Sequence, residues 1–418
     1  MISSASFPAH NEALNNELLK PASAIGRAFY LASSWTWCIG MFLPLVLIRD
    51  FGPWAWLVFA APNVIGAAAM GWVLHRPGAS ESIIAAHRPA MRLFSLITVA
   101  FHAAFFLLVL APMSRFFDLP RWVLFLPAIL FVFSRGIGGV ISSILVYVVS
   151  VIAMLHLIDG GAIPRAQSVL PAPILPAADL LFMLPICTFG FLLCPHLDLT
   201  FHRARRQTTS SGAKLAFTLG FGVLFLLMIA ATPLYGPLFW NESTRNEAVL
   251  AAMAPCVWIH IASQLFFTCG IHSAECGDDD PATGKLKSNL WSRICMLVLP
   301  LALLVAWLGT KYLPDAPFLA TSSNSALIWY RFFLSAYGLL LPAYVWLCMI
   351  PRRGEKTAAP TSRHIAIWLA SCLAASPFYW LGFMERQTVW LIPGLAIVLA
   401  SRALIPWRVL PARPLRSV

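Results

Sequence analysis

Apolar runs of about 20 residues recur from one end of this chain to the other, separated by short links rich in Pro, Gly, Arg and polar residues. Wound as a helix, such a run covers the roughly 30 Å of hydrocarbon in a bilayer, a length that strands and soluble helices do not need. The pattern predicts an all-α polytopic membrane protein with about 12 transmembrane helices. Their expected positions are Ala28 to Ile48, Trp54 to Leu74, Leu93 to Met113, Arg121 to Ser134, Gly138 to Ile158, Ala177 to Phe201, Leu215 to Tyr235, Ala248 to Ser273, Leu290 to Leu308, Leu327 to Ile350, Ile365 to Phe383 and Val389 to Ile405. The fourth is short for a span, and the sixth and eighth run long.

Of 418 residues, 59% are hydrophobic and 11% charged, against about 25% charged in ordinary soluble domains. A water-soluble globular fold is thereby excluded. The net charge of +12 invites a nucleic-acid partner, but an excess of Lys and Arg is also what cytoplasmic loops of membrane proteins carry. The lipid bilayer is the expected partner, nucleic acid is not, and no protein partner is inferable. With the N-terminus inside, the inside segments hold 21 of the 29 Lys and Arg and the outside segments 8. A miscounted helix would invert everything downstream and blur that split, so the tally supports both the count and cytoplasmic termini. The polar stretch 1–27 lacks the basic, apolar and small-residue order of a cleaved signal peptide and reads as a cytosolic tail. The expected organisation is that tail, a ten-helix core over 28–350 with halves 28–158 and 177–350, two peripheral helices over 351–405, and a second cytosolic tail over 406–418. The expected location is multi-pass, in a bacterial inner (plasma) membrane.

The first and sixth spans share a local grammar: Gly40-Met-Phe-Leu-Pro44 in one and Gly190-Phe-Leu-Leu-Cys-Pro195 in the other, each with a cysteine a few residues earlier. Gly weakens a helix and Pro removes an amide donor, so each span can open in the membrane and expose backbone groups to a ligand. Matched breaks five helices apart point to a transporter binding site, and the odd offset makes the second half inverted with respect to the first. A plain proline kink in each helix is the simpler alternative. With the stretch SSWTWCIGMFLPLVLIRDFGPWAWLVFAAPNVIGAAAMGWVL and its very short link between spans one and two, this 5+5 layout resembles the LeuT fold of the amino acid-polyamine-organocation superfamily, and is distantly similar to the sodium:solute symporter family. The resemblance covers spans one to ten in layout and spans one, two and six in motif. It implies a secondary-active transporter with a small organic solute as partner, and sodium or protons as the coupling ion.

Around the first break lie Ser33, Ser34, Trp35, Thr36, Trp37, Cys38 and Gly40; the sixth span offers Thr188, Phe189, Gly190 and Phe191. Backbone dipoles and aromatic walls of this kind suit a small organic solute near the midplane. The resemblance implies a cation site between first-span carbonyls and hydroxyls of the eighth span, where Ser263 and Thr268 stand without the expected adjacent hydroxyl pair. His260, on the same span as Gln264 and His272, reads as a proton-coupling group or substrate contact, or else a neutral interhelical histidine. His102 in the third span has the same readings. Asn63 can bond across helices beside the small-residue run Gly66 to Gly71, which favours close packing. In His196-Leu-Asp198-Leu-Thr-Phe-His202-Arg203, Asp198 and His202 stand at i, i+4 and can pair as an inner gate or a membrane-edge anchor. Arg49-Asp50 reads as an exposed turn pair, or an outer gate.

The nine cysteines are scattered without CxxC spacing, so neither a disulfide framework nor a metal site is indicated. No GxxxxGK[ST], HExxH or GxSxG occurs, and no catalytic residue or cofactor beyond the coupling ion is expected. The acidic stretch Glu275 to Asp280 reads as a solvated loop, and the sequon at Asn241 carries no weight alone. Two alternatives stand beside the transporter: a multi-spanning transferase using the His196–Arg203 segment, and a sensor or scaffold on a transporter fold.

Overall fold

A computed structural model describes residues 24–113, 126–134, 138–159, 171–240, 247–277, 290–312, 323–352, 355 and 357–405. The two tails up to residue 23 and from 406, the first five residues of the fourth expected span (121–125), Asp278 to Asp280 and Asn241 lie outside the described residues. The protein is an all-α polytopic membrane protein. Among the described residues, eight helices are long and apolar enough to cross a membrane, or nine with one bent pair taken as a single span.

That bent pair is the first expected span: α1 (Ala24–Trp35) and α2 (Cys38–Phe51), at 54° to each other. There follow α3 (Ala55–Val73), α4 (Ala79–Met113), the short α5 (Ala128–Phe133), α6 (Gly138–Asp159) and α7 (Ala177–Leu197). Then come the basic α8 (Leu199–Arg206), α9 (Ser210–Tyr235), the long α10 (Glu247–Gly277) and α11 (Leu290–Tyr312). The last three are α12 (Trp329–Met349), α13 (Ser362–Met384) and α14 (Thr388–Leu404). Large apolar side chains such as Ile65, Leu155, Leu181 and Leu373 stand exposed on the outside of the bundle, as helices facing lipid require.

The packing divides the core into two groups. In one, α3 lies against α2, α7 and α9; in the other, α10 lies against α4, α5, α6 and α11, while α4 also packs on α11. Lipid tails are as apolar as leucine, so such helices associate through close fit rather than the hydrophobic effect. Gly66 shows how close: a Cβ there would stand 2.2 Å from the Phe191 carbonyl oxygen of α7. Gly270 does the same for α10, where a Cβ would meet Ser134 Oγ at 2.0 Å. The small-residue run of the second span is thus a packing surface.

The end of the bundle that carries α8 is tied by arginine. Arg205 donates through Nε to the Leu74 carbonyl and through Nη2 to that of His75, occupying carbonyls left over at the end of α3. Glu275 departs from the expected solvated loop: α10 runs on to Gly277, and Glu275 is buried in an ion pair with Arg203 of α8.

Gly66→Ala is expected to destabilise the detergent-purified protein by about 1–3 kcal/mol through overpacking, and Gly222→Ala, where a Cβ meets nothing within 4 Å, to leave it unchanged or slightly more stable. Thermal unfolding of the two variants beside the parent checks both.

Candidate functional site

The interruption of the first span falls at Thr36–Trp37, four residues before Gly40, with Gly40 and Pro44 inside α2. Trp37 is the extended residue that starts α2 (φ −81°, ψ 178°), and its amide reaches back only to the Trp35 carbonyl, at 2.8 Å. With no water at this depth, every freed group needs a protein partner. His102 of α4 supplies one, its Nε2 3.5 Å from the Cys38 amide, and its Nδ1 faces the Thr98 carbonyl at 2.7 Å. The Tyr330 hydroxyl of α12 donates to the Cys38 carbonyl in the first turn of α2 at 3.0 Å. The Trp37 indole donates to the Ser34 carbonyl and lies among Trp35, Phe94, His102, His272 and Tyr337, with ring centroids 4.4 to 6.1 Å away.

Beside this break a cleft of about 940 Å³, part of it open to solvent, runs along α2. One stripe of α2 lines it, Ile39, Gly40, Leu43, Val46, Leu47 and Asp50; one stripe of α7 faces it, Met183, Ile186, Cys187, Gly190, Phe191 and Cys194. Both follow helical periodicity, which is why the neighbours Cys38, Thr188 and Phe189 fall outside. Trp35 and Trp37 reach the cleft from the break, and the Trp35 indole donates to Asn63 Oδ1 of α3 at 2.6 Å. α12 contributes Arg331, Leu334, Tyr337 and Gly338; the end of α13 and the turn beyond it add Gly382, Phe383, Arg386 and Thr388. Two widened helical turns, Ala336–Leu340 and Trp380–Met384, supply four of these eight residues, a helix irregularity that recurs at functional sites.

At one end of the cleft Asp50 is buried, so the expected exposed turn pair is corrected. Its Oδ2 accepts from Arg331 Nη2 of α12, and its Oδ1 from Arg49 Nη2 at 3.4 Å. Arg331 Nη1 also donates to the Phe383 carbonyl at 2.8 Å, tying α2, α12 and α13 together. Arg386, the one described non-glycine residue with a positive φ (60°), stands in the same mouth. Sequence reasoning did not select Arg331 or Arg386; an arginine inside an apolar span was the available signal for Arg331.

The sixth span, by contrast, is not opened at Gly190: α7 is a full-length span and gives way only at its end. The α-helix runs unbroken through Gly190 to Leu193, tightens into a 3-10 turn over Cys194–Leu197 around Pro195, and gives way at Asp198, which is extended. The expected Asp198–His202 side-chain pair does not form. Asp198 precedes α8 as its cap rather than belonging to it, so Oδ1 accepts from the Thr200 amide at 2.8 Å and hydroxyl at 2.7 Å. His202 Nε2 instead faces the His196 carbonyl at 3.0 Å.

Of the expected solute contacts, Trp37, Gly40, Gly190 and Phe191 are brought together in the cleft. Ser33 donates to the Ser143 carbonyl at 3.0 Å and Ser34 to that of Leu31 at 2.9 Å, both away from it. His260 lies behind α2, its ring 5.9 Å from that of Tyr235, whose hydroxyl donates to the Met41 carbonyl. Ser263 and Thr268, five residues apart on an unbroken helix, point about 140° apart around its axis. They do not converge on one cation. No cluster of His, Cys, Asp and Glu among the described residues could hold a metal ion. No protein-family model matches the chain, and no curated protein matches it.

Breaking the Asp50–Arg331 pair from one side leaves a buried uncompensated charge, so Asp50→Ala is expected to cost about 3–5 kcal/mol, and the double variant Asp50→Leu with Arg331→Met to recover most of it. A double-mutant thermal-unfolding cycle measures this.

Proposed function

We propose that this protein is a secondary-active transporter, moving a small organic solute by alternating access through the cleft beside its interrupted first span. The observation that carries the reading is that α2, from the interrupted first span, and α7 line facing walls of one cleft, which Trp35 and Trp37 of the break also reach. A helix opened beside a cavity is how transporters offer backbone groups to a solute at mid-membrane.

The packing supports a 5+5 inverted repeat of the LeuT kind, similar to sodium:solute symporters. Counting α1 with α2 and α7 with α8, the core has ten spans, and several contacts have their counterpart five spans on. The fourth span on the eighth (α5 on α10) answers to the ninth on the third (α11 on α4), and the fifth on the eighth (α6 on α10) to the tenth on the third (α12 on α4). The second on the sixth (α3 on α7) answers to the seventh on the first (α9 on α2), while the third with the eighth and the second with the seventh map onto themselves. The twelve spans of the charge count require α5, α11 and α14 in addition to the nine that are long and apolar enough. With both termini on the cytoplasmic side, the Asp50 end of the cleft faces outward and α8 lies inside. The transferase alternative needs Asp198 and the histidines at an accessible membrane edge, whereas Asp198 and His202 are fully buried.

Melting of the detergent-purified protein against a panel of small solutes, in sodium, in potassium and across pH, is expected to give a solute-specific rise, because binding to the folded state stabilises it. Leu43→Trp and Leu334→Trp, which fill the cleft from facing walls, should each abolish that rise while the variants still fold. A rise that survives in both places the binding site elsewhere.

A further inference from the structure

Four polar side chains, His260, Gln264, Thr268 and His272, stand at every fourth residue of α10, each buried to 1% exposure or less. Each retains one buried polar atom with no hydrogen-bond partner: His260 Nδ1, Gln264 Oε1, Thr268 Oγ1 and His272 Nε2. Four-residue spacing on a 3.6-residue helix winds slowly around the axis. The row therefore passes from Tyr235 of α9, at His260, through Ser150 of α6, 3.1 Å from Gln264 Nε2, to Ser95 of α4, 3.1 Å from His272 Nδ1. Unpaired polar atoms inside a membrane helix are costly, which makes the row a place where something transient binds.

Its last member touches the first-span break and the α7–α8 junction at once. The His272 ring lies 5.5 Å from that of Trp37, the residue that starts α2, and His272 Nε2 stands 4.0 Å from Oδ2 of Asp198, the residue that starts α8. Asp198 Oδ2 is itself buried without a hydrogen-bond partner. A ring nitrogen and a carboxyl oxygen, neither with a hydrogen-bond partner, therefore face each other 4.0 Å apart. One added proton makes them an imidazolium and a carboxylate. A hard cation such as sodium prefers a shell of oxygens, whereas here one of the two facing atoms is an imidazole nitrogen.

We propose that His272 and Asp198 form a proton-binding site that couples the first-span break to the α7–α8 junction, so that the proton, rather than sodium, is the coupling ion; the inference rests on the transporter reading. A proton arriving from the α8 end forms a bond to His272 Nε2, and the imidazolium and the Asp198 carboxylate draw together. This closes the gap and pulls the start of α8 towards α10. Release of the proton to the opposite side, once the helices have moved, restores the gap and completes the proton's passage.

The surrounding groups leave this pair as the exchangeable one. On α1, the Tyr30 hydroxyl is neutral; on α4, His102 is engaged at both ring nitrogens, by the Cys38 amide and the Thr98 carbonyl. On α7 and α8, His196 and His202 stand together beside the cation Arg206, with no carboxylate facing them to hold a second charge. Arg203 and Glu275 neutralise each other, and the Tyr337 hydroxyl of α12 pairs with Thr98 at 2.9 Å.

The test is hydrogen–deuterium exchange of the full chain between about pH 5 and about pH 8, corrected for the chemical exchange rate, in potassium or sodium chloride. Peptides covering Trp35–Cys38 and Cys194–Leu199 are expected to change protection by roughly tenfold across that range, the factor of one pKa unit, equally in both salts. His272→Gln and Asp198→Asn should each remove the pH response. Protection in the parent that is indifferent to pH, or that follows sodium instead, overturns the proposal even if neither variant folds, as does a pH response that persists in both variants. A hinge response to pH without any solute-induced melting shift sustains the proton site and rejects transport; a solute shift with pH-indifferent hinges does the reverse.

Discussion

A helix opened inside hydrocarbon leaves amides and carbonyls that water cannot reach, and each must find a partner within the protein. At Thr36–Trp37 that requirement organises the surroundings. His102 takes the Cys38 amide and the Trp37 indole returns to the Ser34 carbonyl, while Tyr330 adds a hydrogen bond to the Cys38 carbonyl in the first turn of α2. These partners come from α4 and from the α12 end of the core, so the break can exist only where those helices converge. The aromatic cluster around Trp37 then fills the angle that a 54° bend opens between α1 and α2.

The cleft follows from the same geometry. Bending α2 away leaves its stripe from Ile39 to Asp50 facing the stripe of α7 across a gap that α12 and the α13–α14 turn complete. Asp50 and Arg331 hold one end of the gap by charge, and elsewhere in the bundle Arg203 and Glu275 join α8 to α10. Glycine contacts such as Gly66 on Phe191 pack α3 closely on α7, whereas the charge pairs join α2 to α12 and α8 to α10. In the proposed cycle the tight contacts persist and the charge pairs exchange, because a packed interface is bistable rather than continuously deformable.

Much of this was legible in the chain. Gly40 and Pro44 marked the first span, and the polar and aromatic run Ser33 to Cys38 held the break itself, displaced towards the N-terminus because Trp37 finds partners there and Gly40 does not need them. In the sixth span Pro195 ended the helix as its missing amide dictates, while Gly190 stayed helical as a close-contact residue, a Cβ there standing 3.0 Å from the Tyr337 carbonyl oxygen. The Asp198-Leu-Thr200 sequence carried a helix-start signal that separates Asp198 from His202. The four-residue spacing of His260, Gln264, Thr268 and His272 was likewise readable. What could not be read was partnership across the fold: Arg331 meets Asp50 across 281 positions of sequence, and only the assembled bundle brings α12 beside α2.

The central claim is that two packed groups of helices move against each other around this cleft. Distances between spin labels at Trp54 and Leu308, beyond the Asp50 end of the two groups, and at Trp72 and Leu290, near α8, measure it directly; all four side chains are exposed. The account predicts two populations for each pair, with the first distance shrinking as the second grows. A single unchanging distance for both pairs, across pH, salt and every solute tried, would contradict it.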